Sequence, residues 1–459
     1  MKKTKIICTI GPASEAPETM EKLIKLGMNV VRMNFSHGGY DEQGFRIKTT
    51  RELNAKLGTN VALMLDTKGP EIRTHLFGGK GEKVEIKKGS TVRISMTEVD
   101  GNASKFSVTY AGLYDDVNVG GTILVDDGYL ELEIVEKDEA NRELVCVAKN
   151  THKIKDKRGI NVPNVKLNMP FISPKDRSDI QFAADQDLDF IAASFVRRPS
   201  DVLEIREILA EKGNTNIQII SKIENQEGVD NLDEIIEVSD GIMVSRGDLG
   251  VEIPAWEVPS IQKEIIQKCQ QQGKIVVVAT QMLESMQNNP RPTRAEVNDV
   301  ANAVLDGADS TMLSGESAGG DYPVEAVGYM VNINNRMGDD IDYDLLFDNA
   351  LDGVIERDFN SAFAMSASKM ALEFGAAAVI TVGCTCLAKE VSRFRCAAPI
   401  VAAVKDSQKA RSLAMRFGVY PIVGGEEEAL NYVKENFDVV AGDDFVIVVT
   451  KDSMKVVQL

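Results

Sequence analysis

Lys222 and Glu224, in the run Ser221-Lys-Ile-Glu-Asn225, and Asp248, in Arg246-Gly-Asp-Leu-Gly250, combine one cation with two carboxylates over a short length of chain. Two carboxylates suit a hard cation such as Mg²⁺, which fills its other positions with water and substrate oxygens, and a neighbouring lysine counters negative charge developing on an anionic substrate. The plainer account of the same residues is a structural salt bridge at two strand ends.

Positioning them requires two strands. Residues 217–223 are apolar and β-branched, which reads as a buried strand, and side chains two apart share a face, so Lys222 and Glu224 point the same way. Residues 232–238 carry a short helical pattern, and 241–245 form the next strand, delivering Asp248 just past its end. If the two strands are parallel neighbours, Glu224 and Asp248 meet.

The same alternation runs through much of the chain. Strand patterns at 5–10, 29–34, 61–65, 190–194, 217–223, 241–245, 275–279 and 310–313 are separated by helical ones, such as 201–211 and 258–272. That order predicts an α/β fold built on a TIM (β/α)8 barrel. Residues 70–163 break it: the helical period stops and short alternating strands with Gly turns take over, which predicts an all-β domain inserted after strand 3. An insertion there lies over the catalytic face of a barrel and can act as a lid. Beyond residue 336 the order changes again, predicting a separate α/β domain. The expected organisation is a barrel of 1–69 and 164–336, a β-barrel lid of 70–163 and a C-terminal α/β domain of 337–459.

A net charge of −18 argues against a nucleic-acid or acidic-membrane partner, so an anionic substrate needs a locally basic pocket. With no long apolar run, the chain reads as soluble and cytoplasmic. Six cysteines are spread thinly, and reduced thiols are expected; Cys384-Thr-Cys386 lacks the two-residue gap of a redox motif and has no histidine near it.

In a barrel, chemistry belongs just beyond the C-terminal strand ends. Those positions hold Arg32, Asn34, Ser36 and His37 after strand 2, then Asp66, Thr67, Glu71 and Arg73 after strand 3. Ser194 follows strand 4, Thr280 strand 7 and Glu316 strand 8. Arg32 and Arg73 are fork donors suited to phosphate. Asn34, Ser36, Asp66 and Thr67 offer only oxygens with one formal charge, a set suited to a large monovalent cation. No Walker A motif is present, and 77–81 reads as a hairpin turn.

These residues sit in motifs that resemble the pyruvate kinase family over nearly the whole chain: Thr9-Ile-Gly-Pro-Ala-Ser14, Arg32-Met-Asn-Phe-Ser-His-Gly38, Leu65-Asp-Thr-Lys-Gly-Pro-Glu-Ile-Arg73, Ser221-Lys-Ile-Glu-Asn225, Arg246-Gly-Asp-Leu-Gly250, Ala279-Thr-Gln-Met-Leu283, Asn289-Pro-Arg-Pro-Thr-Arg-Ala-Glu296 and Met312-Leu-Ser-Gly-Glu316. The resemblance implies phosphoryl transfer from phosphoenolpyruvate to ADP, giving pyruvate and ATP, with Mg²⁺ and K⁺. Glu224 and Asp248 resemble the Mg²⁺ ligands, and Lys222 the residue that stabilises the transferring phosphoryl and enolate oxygen. Arg32 resembles a phosphate clamp, and Asn34, Ser36, Asp66 and Thr67 the K⁺ site. Gly247, Asp248 and Thr280 resemble the carboxylate cradle, Thr280 lying also near the proton given to the enolate. Pro12, Asn34, His37, Arg73 and Lys175 resemble nucleotide contacts, and Glu71 matches the K⁺-requiring members. A homotetramer is expected by resemblance only.

The match thins in the last domain. Val382-Gly-Cys-Thr-Cys-Leu-Ala-Lys389 stands where sugar-bisphosphate-activated members carry a Thr/Ser/Gly loop, and the final hairpin is short, so that activation is expected to be lost or altered. Two rival readings are a barrel lyase holding an enolate on the same carboxylates and a metabolite sensor without turnover.

Overall fold

The computed structural model describes residues 2–77, 83–353 and 358–459; the hairpin expected at 77–81 therefore falls largely outside the described residues. Eight parallel strands close into a barrel in chain order: Lys5–Thr9, Val30–Asn34, Ala62–Asp66, Phe190–Ala193, Gln218–Ile223, Gly241–Ser245, Ile275–Ala279 and Ser310–Leu313. All eight sequence patterns lie on them. Their residues are almost all buried, as strands covered on both faces by side chains and helices must be. Inward side chains such as Ile7, Met64, Phe190, Ile220, Met243 and Val277 fill the barrel as a packed core. Outward ones meet the apolar stripes of the helices; on Pro199–Glu211 the buried stripe is Val202, Ile205, Ile208 and Leu209, the residues whose spacing predicted a helix.

The insertion leaves after the third strand and has its own core, in which Phe77 packs against Phe106 with ring centroids 5.3 Å apart. It is a seven-stranded sheet with a separate two-stranded piece. It touches the barrel close to the site, where Asn161 Nδ2 donates to Glu252 Oε1 at 2.7 Å, and the segment leading back into the barrel is held by Arg197 Nη1, which donates to the Leu167 and Met169 carbonyls, each at 3.1 Å.

The last domain is a five-stranded sheet, four strands parallel and the edge strand Met454–Gln458 antiparallel. Its Ala414 and Met415 join the barrel's inner core and close its floor. One expectation is corrected here: Cys384 and Cys386 are not free but joined as a disulfide, while Cys8, Cys146, Cys269 and Cys396 are buried thiols. The extended backbone of Cys384, leading directly into the helix Thr385–Arg393, leaves the two Cα atoms 5.3 Å apart, a separation a disulfide spans. Among the described residues, no helix is long and apolar enough to cross a membrane.

Candidate active site

The fifth and sixth strands are parallel neighbours, with Lys222 in register with Met243, so their ends bring Glu224 beside the helix Arg246–Glu252 that carries Asp248. Lys222 Nζ lies 3.0 Å from Glu224 Oε1 and 3.2 Å from Asp66 Oδ1. Burial alone would lower the lysine's pKa, but the Asp66 and Glu224 charges outweigh it and raise it. Glu224 is fully buried; its Oε2 accepts the Phe195 N–H at 2.6 Å, while Oε1 has no donor in hydrogen-bonding geometry, the nearby ammonium notwithstanding. Burial and the facing Glu224 charge push the Asp248 carboxyl up to about 7. Two buried carboxylates that repel each other, one with an oxygen left unsatisfied, offer hard oxygen donors of the kind that could hold a cation.

Arg32 and Asp66 face one another from adjacent strands. Arg32 Nε donates to Asp66 Oδ2 and its Nη1 to Thr9 Oγ1, both at 2.7 Å. Burial raises the Asp66 pKa, but Arg32 and Lys222 together hold it below the usual carboxylate range. Asn34 pairs with Asp66 in strand register, and its Oδ1 accepts the Ser36 N–H at 2.9 Å. Thr67 Oγ1 accepts the Ser194 N–H at 3.0 Å. Ser194 Oγ lies 2.6 Å from the Thr67 carbonyl oxygen and 3.1 Å from Asp66 Oδ1, and it accepts from Lys222 Nζ at 2.9 Å. Lys222, Glu224, Asp66, Arg32, Asn34 and Thr67 are thus one connected cluster, with Ser36 exposed at its edge.

Thr280 sits across the mouth in the left-handed region at φ 64°, followed by Gln281 at φ 55°. For a β-branched residue that conformation is strained and needs outside support. Arg246 supplies it, donating to the Thr280 carbonyl at 2.9 Å while both arms of its fork hold Asp299 at 2.6 and 2.7 Å. Thr280 Oγ1 in turn accepts the Gly247 N–H at 2.7 Å, and a Cβ at position 247 would stand 3.0 Å from that oxygen.

The remaining residues occupy the rim. Pro12 and His37 are exposed. Arg73 is not aimed into the lysine–carboxylate cluster: its fork is taken by Glu71, at 2.8 and 2.6 Å, and Nη1 donates to the Lys157 carbonyl at 2.8 Å. Lys175 Nζ donates to buried Asp179 at 2.6 Å. Between lid and barrel lies a cavity of about 230 Å³ lined by Pro70, Asp127, Asn161, Phe195, Asp248 and Glu252. Asp127, from the lid, adds to the negative field at Asp248.

Ser194, Asp127 and the Arg246–Asp299 pair are the parts that sequence reasoning missed. Ser194 stands at a strand end, so the positional rule that singles out Thr280 applies to it equally. Asp299 has no local signal; only the fold brings it to Arg246.

A family model described as the barrel domain of pyruvate kinase matches residues 1–327, and one described as its alpha/beta domain matches 361–458. A pyruvate kinase of Bacillus licheniformis is 51% identical over 438 residues, covering 95% of this chain and 74% of that protein. One of Staphylococcus saprophyticus is 51% identical over 426 residues, covering 92% and 72%. The chain belongs to the pyruvate kinase family. The crystal structure of a pyruvate kinase from Cryptosporidium parvum superposes with a TM-score of 0.93 at 39% identity, covering 100% of this chain and 96% of that one. The closed barrel, the inserted all-β domain and the C-terminal α/β domain are therefore the architecture of a pyruvate kinase family enzyme.

Proposed function

We propose that this enzyme transfers the phosphoryl group of phosphoenolpyruvate to ADP, releasing pyruvate and ATP, in a cleft between the barrel of residues 1–69 and 164–336 and the lid of 70–163. The observation that carries the proposal is the buried cluster in which Glu224, with one unsatisfied oxygen, faces Asp248 beside Lys222. Glu224 and Asp248 would hold Mg²⁺, which would supply charge neutralisation for the phosphoryl transfer. Asn34, Ser36, Asp66 and Thr67 would hold K⁺; all four offer oxygens, and Arg32 and Lys222 keep Asp66 ionised.

The side chains do the rest by position and charge. Arg32 clamps the phosphate of the donor, and Lys222 counters charge on the transferring phosphoryl and the enolate oxygen. Gly247 and Asp248, with Thr280, receive the substrate carboxylate. The Gly247 N–H, now satisfied by Thr280 Oγ1, turns to that carboxylate and frees the Thr280 hydroxyl to pass a proton, through water, toward the enolate carbon. Pro12, Asn34, His37, Arg73 and Lys175 line the nucleotide's side of the mouth, where Glu71 fixes the Arg73 fork at the root of the lid. Closing the lid excludes water from the donor. In the C-terminal domain of 337–459 the stretch 382–389 is poorer in hydroxyls than the loop of sugar-bisphosphate-activated members and the last hairpin is short, so that activation is lost or altered, and the working form is a cytoplasmic homotetramer.

The test is the initial rate of pyruvate formation from phosphoenolpyruvate and ADP with Mg²⁺, run once with K⁺ and once with Na⁺ alone. Rapid turnover that needs K⁺ is expected; equal rates in Na⁺ would remove the monovalent site, and no turnover in either would remove the kinase reading. In the same assay, fructose bisphosphate is expected to leave the half-saturating phosphoenolpyruvate concentration unchanged, and a large drop would refute the lost activation.

A further inference from the structure

The Cys384–Cys386 disulfide lies outside the site and plays no part in its chemistry. Both residues are exposed, whereas the other four cysteines are buried. Cys384 is the N-cap of the nine-residue helix Thr385–Arg393, and its sulfur accepts the Cys386 N–H at 3.2 Å. The other end of that helix, about 13 Å away at 1.5 Å per residue, is anchored to the barrel floor. Arg393 Nη2 donates to the Gln271 carbonyl of the barrel and, at 3.0 Å, to the Gly353 carbonyl of its own domain, and Arg395 reaches the Gly307 carbonyl and Asp309 of the barrel, each at 3.0 Å.

We propose that Cys384 and Cys386 are a reversible redox site, exchanging electrons with dithiol-class reductants and disulfide-class oxidants, and that its state sets the order of the helix linking it to the barrel floor. In reduction, a thiolate of the reductant attacks one sulfur of the pair. The S–S bond breaks, its electron pair goes to the other cysteine sulfur, and that sulfur takes a proton. The reductant's second thiolate then attacks the reductant's own sulfur in that mixed disulfide; the bond to the cysteine breaks and the departing cysteine sulfur takes a proton, leaving two cysteine thiols and a cyclic disulfide of the reductant, with two electrons and two protons transferred. The helix N-terminus stabilises the departing thiolate, and solvent exposure admits the attacking one. Reduction removes the covalent link across the cap, so the exposed start of the helix is held by its hydrogen bonds and by the packing of Leu387 and Ala388 in the domain core.

The experiment equilibrates the full chain, without denaturant, in mixtures of reduced and oxidised dithiothreitol, traps the thiols by rapid alkylation of the folded chain near neutral pH, and measures the mass of the peptide carrying both cysteines. Expected is no label at the oxidising end and two labels acquired together as the buffer becomes reducing, with the four buried cysteines unlabelled throughout. Two free thiols under the most oxidising mixture, or a disulfide that yields only in denaturant, would overturn the site. Hydrogen exchange of residues 385–393 is expected to rise about threefold or more on reduction and to lose that dependence in the Cys384→Ser/Cys386→Ser double variant. Equal exchange in the two states would overturn the link to the helix.

Discussion

Lys222 is the residue on which most charge converges. Its ammonium meets Asp66, Glu224 and the Ser194 hydroxyl at once, and the two carboxylates outweigh the cost of its burial. A cation held this tightly does not reorganise when charge develops on the substrate, which is the condition under which a fixed charge contributes most to a transition state. Lys222→Met is therefore expected to lower kcat for pyruvate formation about 10³-fold or more, with a smaller change in KM, because in the proposed mechanism the side chain acts on charge that appears during transfer. Steady-state kinetics beside a circular-dichroism check of folding measure this. A folded Lys222→Met protein that keeps a tenth of its kcat would show that another group carries the role. Ser194 stands behind this behaviour as a positioning residue, since its hydroxyl is the neutral contact among the three that Lys222 makes.

Elements show which parts of the molecule could be read from residues alone. All eight barrel strands were legible because a strand buried on both faces must be a continuous apolar run, and none of the eight conflicts with its neighbours. The mouth was legible because barrel chemistry follows strand ends, a rule of position that needs no contacts. Partners brought together only by folding were not: Asp299 meets Arg246 across 53 positions of sequence. The C-x-C disulfide was missed because its spacing matches no common motif, although local backbone geometry allows it. Lys5 is a further surprise, a charged residue within the first barrel strand at 1% exposure, its ammonium 4.1 Å from the Tyr420 ring centroid and in no salt bridge among the described residues. Burial holds its pKa well below the usual lysine value. The unfolded chain then binds a proton that the folded chain releases, so stability rises with pH through the window between the folded value and the ordinary one near 10.4. Lys5→Met removes that linkage and is expected to stabilise the protein by about 1–4 kcal/mol at neutral pH. The gain in Tm over the parent should shrink as the pH approaches about 10. A gain that does not change with pH would mean that the lysine is not neutralised by burial.

At the scale of the whole molecule, the C-terminal domain is docked on the barrel floor by apolar plugs and buried ion pairs together. Ala414 and Met415 enter the barrel core, Arg411 Nε donates to Asp189 at 2.9 and 3.1 Å, and Arg395 donates to Asp309 at 3.0 Å. Asp309 is the more deeply committed of that last pair. It is fully buried, its Oδ1 accepts the Phe417 N–H at 2.9 Å, and its Oδ2 accepts the Val276 N–H as well as the arginine, both at 3.0 Å. Removing either member of a buried pair strands the other, but the two losses differ. Asp309→Ala leaves a buried guanidinium without its counter-charge and two backbone donors without acceptors, and it is expected to cost about 3–5 kcal/mol. Arg395→Met leaves a carboxylate that still accepts two backbone N–H bonds and adds apolar volume at the floor, so it should cost less. Urea unfolding of the two variants should place Asp309→Ala at the lower midpoint, and the reverse order would show that the arginine's contacts with the Gly307 and Ser392 carbonyls, rather than the ion pair, hold the domains together.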